Sequence, residues 1–252
     1  MERNSGILLH PTSLPDSRIC GSFGDPARRW LNDLAESGIG VWQFLPLAPP
    51  DSFGSPYSSP SSFAFNPWFL DEKDLFKDGF LANNLDNYHF DASNSQNRVD
   101  FQLANSKVES LCSSLLDNWE NQNTAVKEAF EIWCKKQFWL DDHSTFMELK
   151  IQNNDLPWWE WPDKYAARDK KELANWEKNN QRELLGHNLL QWHLDRQWKS
   201  IRKLAKNLGI FLFGDVPFYV SKDSADVWSN RSLFSILTNS DTFLQSGVPP
   251  DY

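Results

Sequence analysis

An acidic residue at the end of an apolar run is the feature of this sequence best placed to do chemistry. Residues 210–213 are all apolar, and Gly214 and Asp215 follow them directly. An apolar run without alternation is typical of a strand that is buried on both faces of a parallel sheet. In barrels of alternating strands and helices, carboxylates released at strand ends carry the chemistry. The pattern therefore predicts that Asp215 faces a ligand.

Two loops rich in polar and turn-forming residues follow two earlier predicted strands. The first loop covers residues 10–15, and the second covers residues 53–67 and contains Ser55 and Tyr57. Small hydroxyl groups around an aromatic ring suit a polyhydroxylated ligand, because the ring offers a flat apolar face. The alternative is a turn-rich connection held by its own Ser and Asn hydrogen bonds. Composition and spacing alone favour that alternative.

The elements that must position these loops begin with a strand–helix–strand unit. Strands are predicted at residues 6–11 and 41–47. Between them, Asp25 as N-cap and Pro26 at the first helical position start a helix, and Gly38 ends it. A βαβ unit of this length implies a parallel sheet.

A long and mostly helical segment separates the second strand from the third. Apolar residues at helical spacing mark three helices in it. Their stripes are Val108, Leu111, Leu115 and Leu116; Phe130, Trp133, Cys134 and Phe138; and Leu184, Leu185, Leu189, Trp192 and Trp198. Residues 157–162 interrupt the series as a turn. The sequence thus predicts a first βαβ segment at 1–70, a mainly helical insertion at 71–208, and a third strand with its following loop at 209–252.

Charge and cysteine usage exclude several classes of function. The formal net charge of −9 argues against nucleic acid and anionic membrane as partners. Cys20, Cys112 and Cys134 have no paired spacing, which predicts free thiols in a reducing cytoplasm rather than a disulfide or a zinc site. Neither a signal-peptide pattern nor an apolar run near 18 residues occurs. We therefore expect a cytoplasmic protein.

Aromatic and histidine residues leave more than one interpretation. The 13 tryptophans serve either as core packing or as platforms for sugar rings, and composition does not separate the two. His10 is interpreted as a hydrogen-bonded structural residue rather than a base. The other histidines have no shared helical spacing for a metal, so no metal site is expected; they are His89, His143, His187 and His193.

Four motifs in order resemble the 4-α-glucanotransferase family, also called amylomaltase or disproportionating enzyme. They are residues 5–15 (SGILLHPTSLP), 54–57 (GSPY) with 66–67 (NP), 214–217 (GDVP), and 223–228 (DSADVW) leading to 247–252 (GVPPDY). The helical insertion with its Trp-Glu-Trp-Pro turn also resembles the subdomain that this family carries after strand two. The resemblance extends from residue 5 to residue 252.

The resemblance implies a (β/α)8 TIM barrel, an α/β fold of which this chain would hold about the first three strands and the large helical insertion. It also implies transfer of α-1,4-glucan segments between maltooligosaccharides by a retaining double displacement. That reaction uses two carboxyl groups roughly 5 Å apart, one as nucleophile and one as acid/base. No metal, organic cofactor or obligate protein partner is implied.

The same resemblance assigns binding roles to five residues. Asp215 resembles the strand-three Asp that hydrogen-bonds the sugar beside the cleaved bond. Tyr57 resembles the aromatic residue that stacks on that sugar, and Ser55 its neighbouring polar contact. Asp251 and Tyr252 resemble the start of a loop that covers the glucan.

Catalytic roles are carried over to no residue of this chain. In the family, the nucleophile, the acid/base and a supporting Asp follow strands four, five and seven, which would lie beyond Tyr252. The expectation is that these 252 residues alone are inactive and that the sequence is truncated. The competing hypotheses are a non-catalytic maltooligosaccharide-binding or interaction protein, and an incomplete gene product.

Overall fold

Three parallel strands form a sheet in the order β1-β2-β3. The computed structural model describes residues 4–15, 19–82 and 98–236, and the strands are β1 (Gly6–Leu8), β2 (Val41–Gln43) and β3 (Phe211–Phe213). Val41 pairs with Gly6 on one side and with Phe211 on the other. The predicted parallel pairing is therefore confirmed, and the carboxyl ends of all three strands lie at the same edge of the sheet.

Helix α1 (Asp25–Glu36) connects β1 to β2. The predicted N-cap is wrong by one position, because Gly24 is the N-cap and Asp25 is the first helical residue. The Asp25 carboxylate accepts a hydrogen bond from Arg28 Nε at 3.2 Å instead of capping a backbone amide. Gly38 has a φ of 70°, a left-handed conformation that favours glycine, and it ends the helix as predicted.

Seven helices lie between β2 and β3 in the described part of the chain. They are α2 (Glu72–Lys77), α3 (Phe101–Trp119), α4 (Thr124–Cys134), α5 (Leu140–Gln152), α6 (Asp163–Ala166), α7 (Lys170–Asn179) and α8 (Gln181–Asn207), and α9 (Ala225–Ser229) follows β3. The predicted turn at 157–162 contains a 3-10 helix, Trp158–Glu160. The predicted apolar stripe from Phe130 to Phe138 is too long by its last member, because α4 ends before Phe138 and this residue is 80% exposed.

Two apolar clusters hold these elements together. The larger cluster joins the sheet to α1, α3 and α8 and contains the fully buried Phe23 and Trp42. The smaller cluster packs α5, α7 and α9 around Phe146, Trp158 and Trp228. All tryptophans lie among the described residues and none of them is exposed. Seven of them are buried, which assigns those seven to packing, and the other six are half-buried.

One face of the sheet is covered and the other is open. Successive strand residues point to opposite faces. Trp42, on the face that packs on the helices, is fully buried, whereas Leu8, Phe211 and Phe213 on the other face are 55%, 68% and 59% exposed. The prediction that the third strand is buried on both faces is therefore wrong for the described residues, because none of them packs on that second face.

Helix α8 holds the loop after β2 through two glutamine side chains. Gln191 accepts a hydrogen bond from the Phe65 amide at 2.9 Å and donates one to the Phe65 carbonyl at 2.9 Å. Gln197 does the same with Asp71, at 2.9 and 3.0 Å. Each glutamine lies 126 residues after its partner in the sequence, so the two contacts have the same register. The loop is thereby fixed along the helix at two points.

Candidate functional site

The loop after β2 and the segment after β3 meet beyond the ends of these two strands. The Tyr57 hydroxyl donates a hydrogen bond to Asp215 Oδ2 at 2.6 Å. Tyr57 lies in the loop after β2, and Asp215 comes two residues after β3. Because β2 and β3 are parallel neighbours, their carboxyl ends bring these loops to one edge of the sheet.

The Asp215 carboxylate is exposed and held by two donors. Its Oδ2 accepts from Tyr57, and its Oδ1 accepts from the backbone amide of Val216 at 2.8 Å. The hydrogen bond to Asp215 is the main cause that raises the pKa of the Tyr57 hydroxyl, since it stabilises the protonated phenol; burial and the Asp215 charge add to it. Tyr57 thus stays a hydrogen-bond donor at neutral pH, and its ring is 41% exposed.

Ser55 lies beside this pair and connects it to a residue that the sequence analysis missed. Ser55 Oγ accepts a hydrogen bond from the Tyr57 amide at 3.3 Å. Asp51 Oδ1 accepts from the amides of Phe53 and Ser55 at 2.9 and 2.8 Å, and the Asp51 amide donates to the Ser55 carbonyl at 3.0 Å. Asp51 therefore shapes the turn that presents Ser55 and Tyr57. The signal was an Asp directly before Ser-Phe-Gly, a pattern typical of side-chain-stabilised turns.

Gly54 at the tip of this turn meets a conformational and a steric constraint. Its φ of 86° lies in the left-handed region, and a Cβ at this position would approach Phe101 Cζ to 2.5 Å. The turn therefore needs glycine here, and α3, which begins at Phe101, lies directly against it.

Local serine hydrogen bonds hold the remainder of the loop. Ser59 Oγ donates to the Ser61 carbonyl at 2.7 Å, and Ser61 Oγ accepts from the Ala64 amide at 3.2 Å. The Ser62 amide donates to Asp226 Oδ2 at 2.9 Å. The turn-rich interpretation of this loop thus holds for residues 59–64, while Tyr57 remains directed at Asp215.

The segment that begins with Asp215 is anchored at its other end by the helical region. Lys150 Nζ donates to Asp223 Oδ2 at 2.6 Å, and the Trp158 amide donates to Asp223 Oδ1 at 3.2 Å. The indole N–H of Trp158 donates to the Lys222 carbonyl at 2.7 Å. Helix α5 and the turn at Trp158 therefore limit how far this segment moves relative to the sheet.

The remaining predicted residues fall elsewhere. Asp251 and Tyr252 lie outside the described residues. His10 packs edge-on against Phe69 with ring centroids 5.6 Å apart, and its Nδ1 is buried without a hydrogen-bond partner. This packing agrees with a structural role for His10, and no hydrogen bond to Nδ1 is found among the described residues. Burial lowers the pKa of His10 to about 4, so its ring is neutral at pH 7.

Two kinds of feature are absent from the part of the chain that the structure describes. No three or more His, Cys, Asp or Glu side chains are grouped so that they could hold a metal ion. No helix there has both the length and the apolar character needed to cross a bilayer.

Comparison with known proteins identifies the family. A family model described as 4-alpha-glucanotransferase matches residues 9–252. The chain belongs to this family. It is 37% identical to the 4-alpha-glucanotransferase of Synechocystis and 36% identical to that of Thermus thermophilus. Each alignment covers 100% of this chain and 50% of the relative. This family member therefore spans about half the length of these curated relatives.

Solved structures agree with this assignment. An amylomaltase from Streptococcus agalactiae in complex with acarbose matches the whole chain with a TM-score of 0.93 at 28% identity, over 50% of that structure. The amylomaltase from Corynebacterium glutamicum matches 94% of the chain with a TM-score of 0.63 at 17% identity, which shows a shared fold. The family resemblance drawn from the four motifs is confirmed.

Proposed function

We propose that this chain supplies glucan-binding groups to a 4-α-glucanotransferase that acts on maltooligosaccharides and α-1,4-glucans. The observation that carries the proposal is the hydrogen bond between Tyr57 and Asp215, since it joins two loops that the family motifs had selected independently. Family membership and the similarity to an acarbose-bound amylomaltase support it.

The fold context of this proposal is a (β/α)8 barrel to which β1, β2 and β3 contribute the first three strands. The division proposed is a barrel segment at 1–70, a helical insertion at 71–208 and a third-strand segment at 209–252. The open sheet face with Leu8, Phe211 and Phe213 would then be turned toward the barrel interior, which side chains fill in such barrels. Barrel sites lie at the carboxyl ends of strands, where Tyr57 and Asp215 meet.

In this proposal Asp215 binds sugar rather than attacking it. Its exposed carboxylate accepts hydrogen bonds from sugar hydroxyls, while Tyr57 fixes its orientation and offers a ring face for stacking. Ser55 is the neighbouring polar group, and Asp251 and Tyr252 remain proposed covering residues. A retaining double displacement needs a nucleophile and an acid/base at short separation. We place that pair outside residues 1–252 and expect these residues alone to be inactive.

Two measurements on the 252-residue chain test the proposal. The chain is incubated with maltotriose, and glucose and longer maltooligosaccharides are quantified. No products are expected from a chain that circular dichroism shows to be folded. Product formation would place a working carboxylate pair within residues 1–252 and contradict the assignment of purely binding roles.

The second measurement is maltoheptaose binding by calorimetry. Asp215→Asn should weaken binding by roughly tenfold, because hydrogen bonds to a charged acceptor are the stronger ones. Asp33→Asn, a matched change at an exposed carboxylate on α1, should not alter it. Equal affinities of the Asp215→Asn and Asp33→Asn variants would refute the site. Binding by a longer form of the protein that never turns over maltotriose would instead favour a non-catalytic maltooligosaccharide-binding protein.

A further inference from the structure

Two arginine side chains near the turn at 157–162 carry buried donors that no group in the described part of the chain accepts from. Arg168 follows α6, and Arg231 begins the 3-10 helix Arg231–Leu233. Nη1 of Arg168 and both Nε and Nη2 of Arg231 are buried without a hydrogen-bond partner among the described residues. Buried donors almost always have a partner, and exceptions in a folded protein call for an explanation such as a bound ion. Because these donors belong to cations, the ion they indicate is an anion.

Tryptophan rings hold both guanidinium groups at the edge of the smaller apolar cluster. Arg168 Cζ lies 4.2 Å from the ring centroid of Trp228, and Arg231 Cζ lies 4.4 Å from that of Trp158. Both rings are fully buried in that cluster, whereas both arginines are half-buried. A guanidinium that stacks on a ring face keeps its own N–H groups free to donate sideways. The two charged groups therefore lie between the cluster and solvent, where an anion can approach them.

The backbone at Arg168 indicates that its guanidinium is needed. Its φ of 55° lies in the left-handed region just after the C-cap residue Ala167 of α6, a position that glycine usually occupies. A strained conformation at a residue other than glycine is a reason to look for a function of its side chain. Nη2 of Arg168 donates to Asp142 Oδ1 at 2.5 Å, which accounts for one edge of the guanidinium but not for Nη1.

Asp142 neutralises only one of the two guanidinium groups. Arg231 makes no ion pair with any described residue. Asp226, a second carboxylate of this region on α9, accepts the Ser62 amide at 2.9 Å instead. Burial lowers the pKa of the Arg231 guanidinium from its usual value, and the Arg168 charge adds to this effect. The two cations therefore repel each other, and an anion between them would relieve that repulsion.

We propose that Arg168 and Arg231 bind a phosphate group between the helical insertion and the segment after β3. Nε and Nη2 form one edge of the Arg231 guanidinium, and they donate side by side to two oxygens of an oxyanion. Nη1 of Arg168 donates to a third oxygen, which a phosphate offers and a planar carboxylate does not. Since both side chains are half-buried, a small movement of either opens these donors to solvent. The site does not depend on glucan binding at Tyr57 and Asp215.

Thermal melting of the 252-residue chain in sodium phosphate, and in sodium chloride of equal ionic strength, tests the site. A ligand that binds only the folded chain raises its melting temperature. For a dissociation constant of about 1 mM, about 10 mM phosphate should raise the melting temperature by roughly 3 °C relative to chloride. Arg231→Met should abolish this difference. Arg182→Met, the same change at an exposed guanidinium on α8, should keep it.

A second variant guards against a folding defect in Arg231→Met. Arg168→Gly removes the other guanidinium and places glycine where the backbone favours it, so this variant should fold and also lose the difference between phosphate and chloride. General salting-out by phosphate stabilises all variants alike, so only differences between variants count.

Three results would overturn the site. They are equal phosphate effects in Arg231→Met and Arg182→Met, an undiminished effect in Arg168→Gly, and no effect in the unaltered chain. Sulfate, which is also tetrahedral, should reproduce the phosphate effect, and acetate should not. An equal effect of acetate would refute the selectivity for a tetrahedral oxyanion.

Discussion

Replacing Gln191 by alanine removes both hydrogen bonds that hold Phe65 on helix α8. Gln191 is 2% exposed, and its two hydrogen bonds to the Phe65 backbone measure 2.9 Å each. The truncation leaves one backbone N–H and one C=O without partners, and each buried unpaired group costs about 1–3 kcal/mol. Phe65 is only half-buried, so water replaces part of the loss. We expect a loss of roughly 2–4 kcal/mol in the free energy of unfolding.

Urea denaturation followed by circular dichroism measures this loss. Gln181→Ala, an exposed position at the start of α8, is the matched control and should change stability by less than about 0.5 kcal/mol. Gln197→Ala should cost a similar amount to Gln191→Ala, because its partner Asp71 is held in the same way. Equal unfolding free energies for Gln191→Ala and Gln181→Ala would refute the inference that α8 holds the loop.

Three further predictions concern buried groups. Burial lowers the pKa of His143 to about 3, whereas the unfolded chain protonates this group near its usual 6.5. The free energy of unfolding should therefore be unaffected by His143 above pH 6.5 and should fall between pH 6.5 and pH 3 by up to about 1.4 kcal/mol per pH unit. His143→Asn should reduce this pH dependence in urea titrations at about pH 7 and 5. Ser22→Ala removes the 2.6 Å hydrogen bond to the buried Asp71 carboxylate and should cost about 1–3 kcal/mol, measured by thermal melting, whereas an unchanged melting temperature would contradict this. Cys20 is buried, and Cys112 and Cys134 are half-buried. Removal from water raises the pKa of their thiols to about 12, 11 and 12, so iodoacetamide at pH 7.5 should label them slowly until the chain unfolds. Equal labelling rates for the folded and the unfolded chain would contradict this expectation.

Local patterns in the sequence were sufficient to locate the strands and the longest helix. Gly38 predicted the end of α1, and it adopts the left-handed conformation that this role requires; Gly209 has the same conformation just after α8. The pattern failed where the environment decides the outcome. Two-sided apolarity in β3 predicted burial, yet burial of Phe211 and Phe213 depends on what packs on the second sheet face, which a local pattern does not contain.

The candidate site was only partly predictable for the same reason. Tyr57 and Asp215 are 158 residues apart, so no spacing rule relates them, and only the family motifs selected both. Gln191 and Gln197 look like ordinary polar helix residues, and their buried hydrogen bonds depend on a loop more than a hundred positions earlier in the chain. Asp51 was detectable from its turn pattern, but nothing in the sequence showed that this turn presents Tyr57.

Helix α8 has a consequence for how this protein can be engineered. It holds the loop after β2 through hydrogen bonds from two glutamines and then leads directly into β3, where the Ile210 amide donates a hydrogen bond to the Ala205 carbonyl. A single residue inserted between Gln191 and Gln197 would rotate the rest of the helix by about 100° and shift it by about 1.5 Å. Length changes in a library should therefore avoid the part of α8 between Gln191 and Gln197, because they would break the register between the loop after β2 and β3.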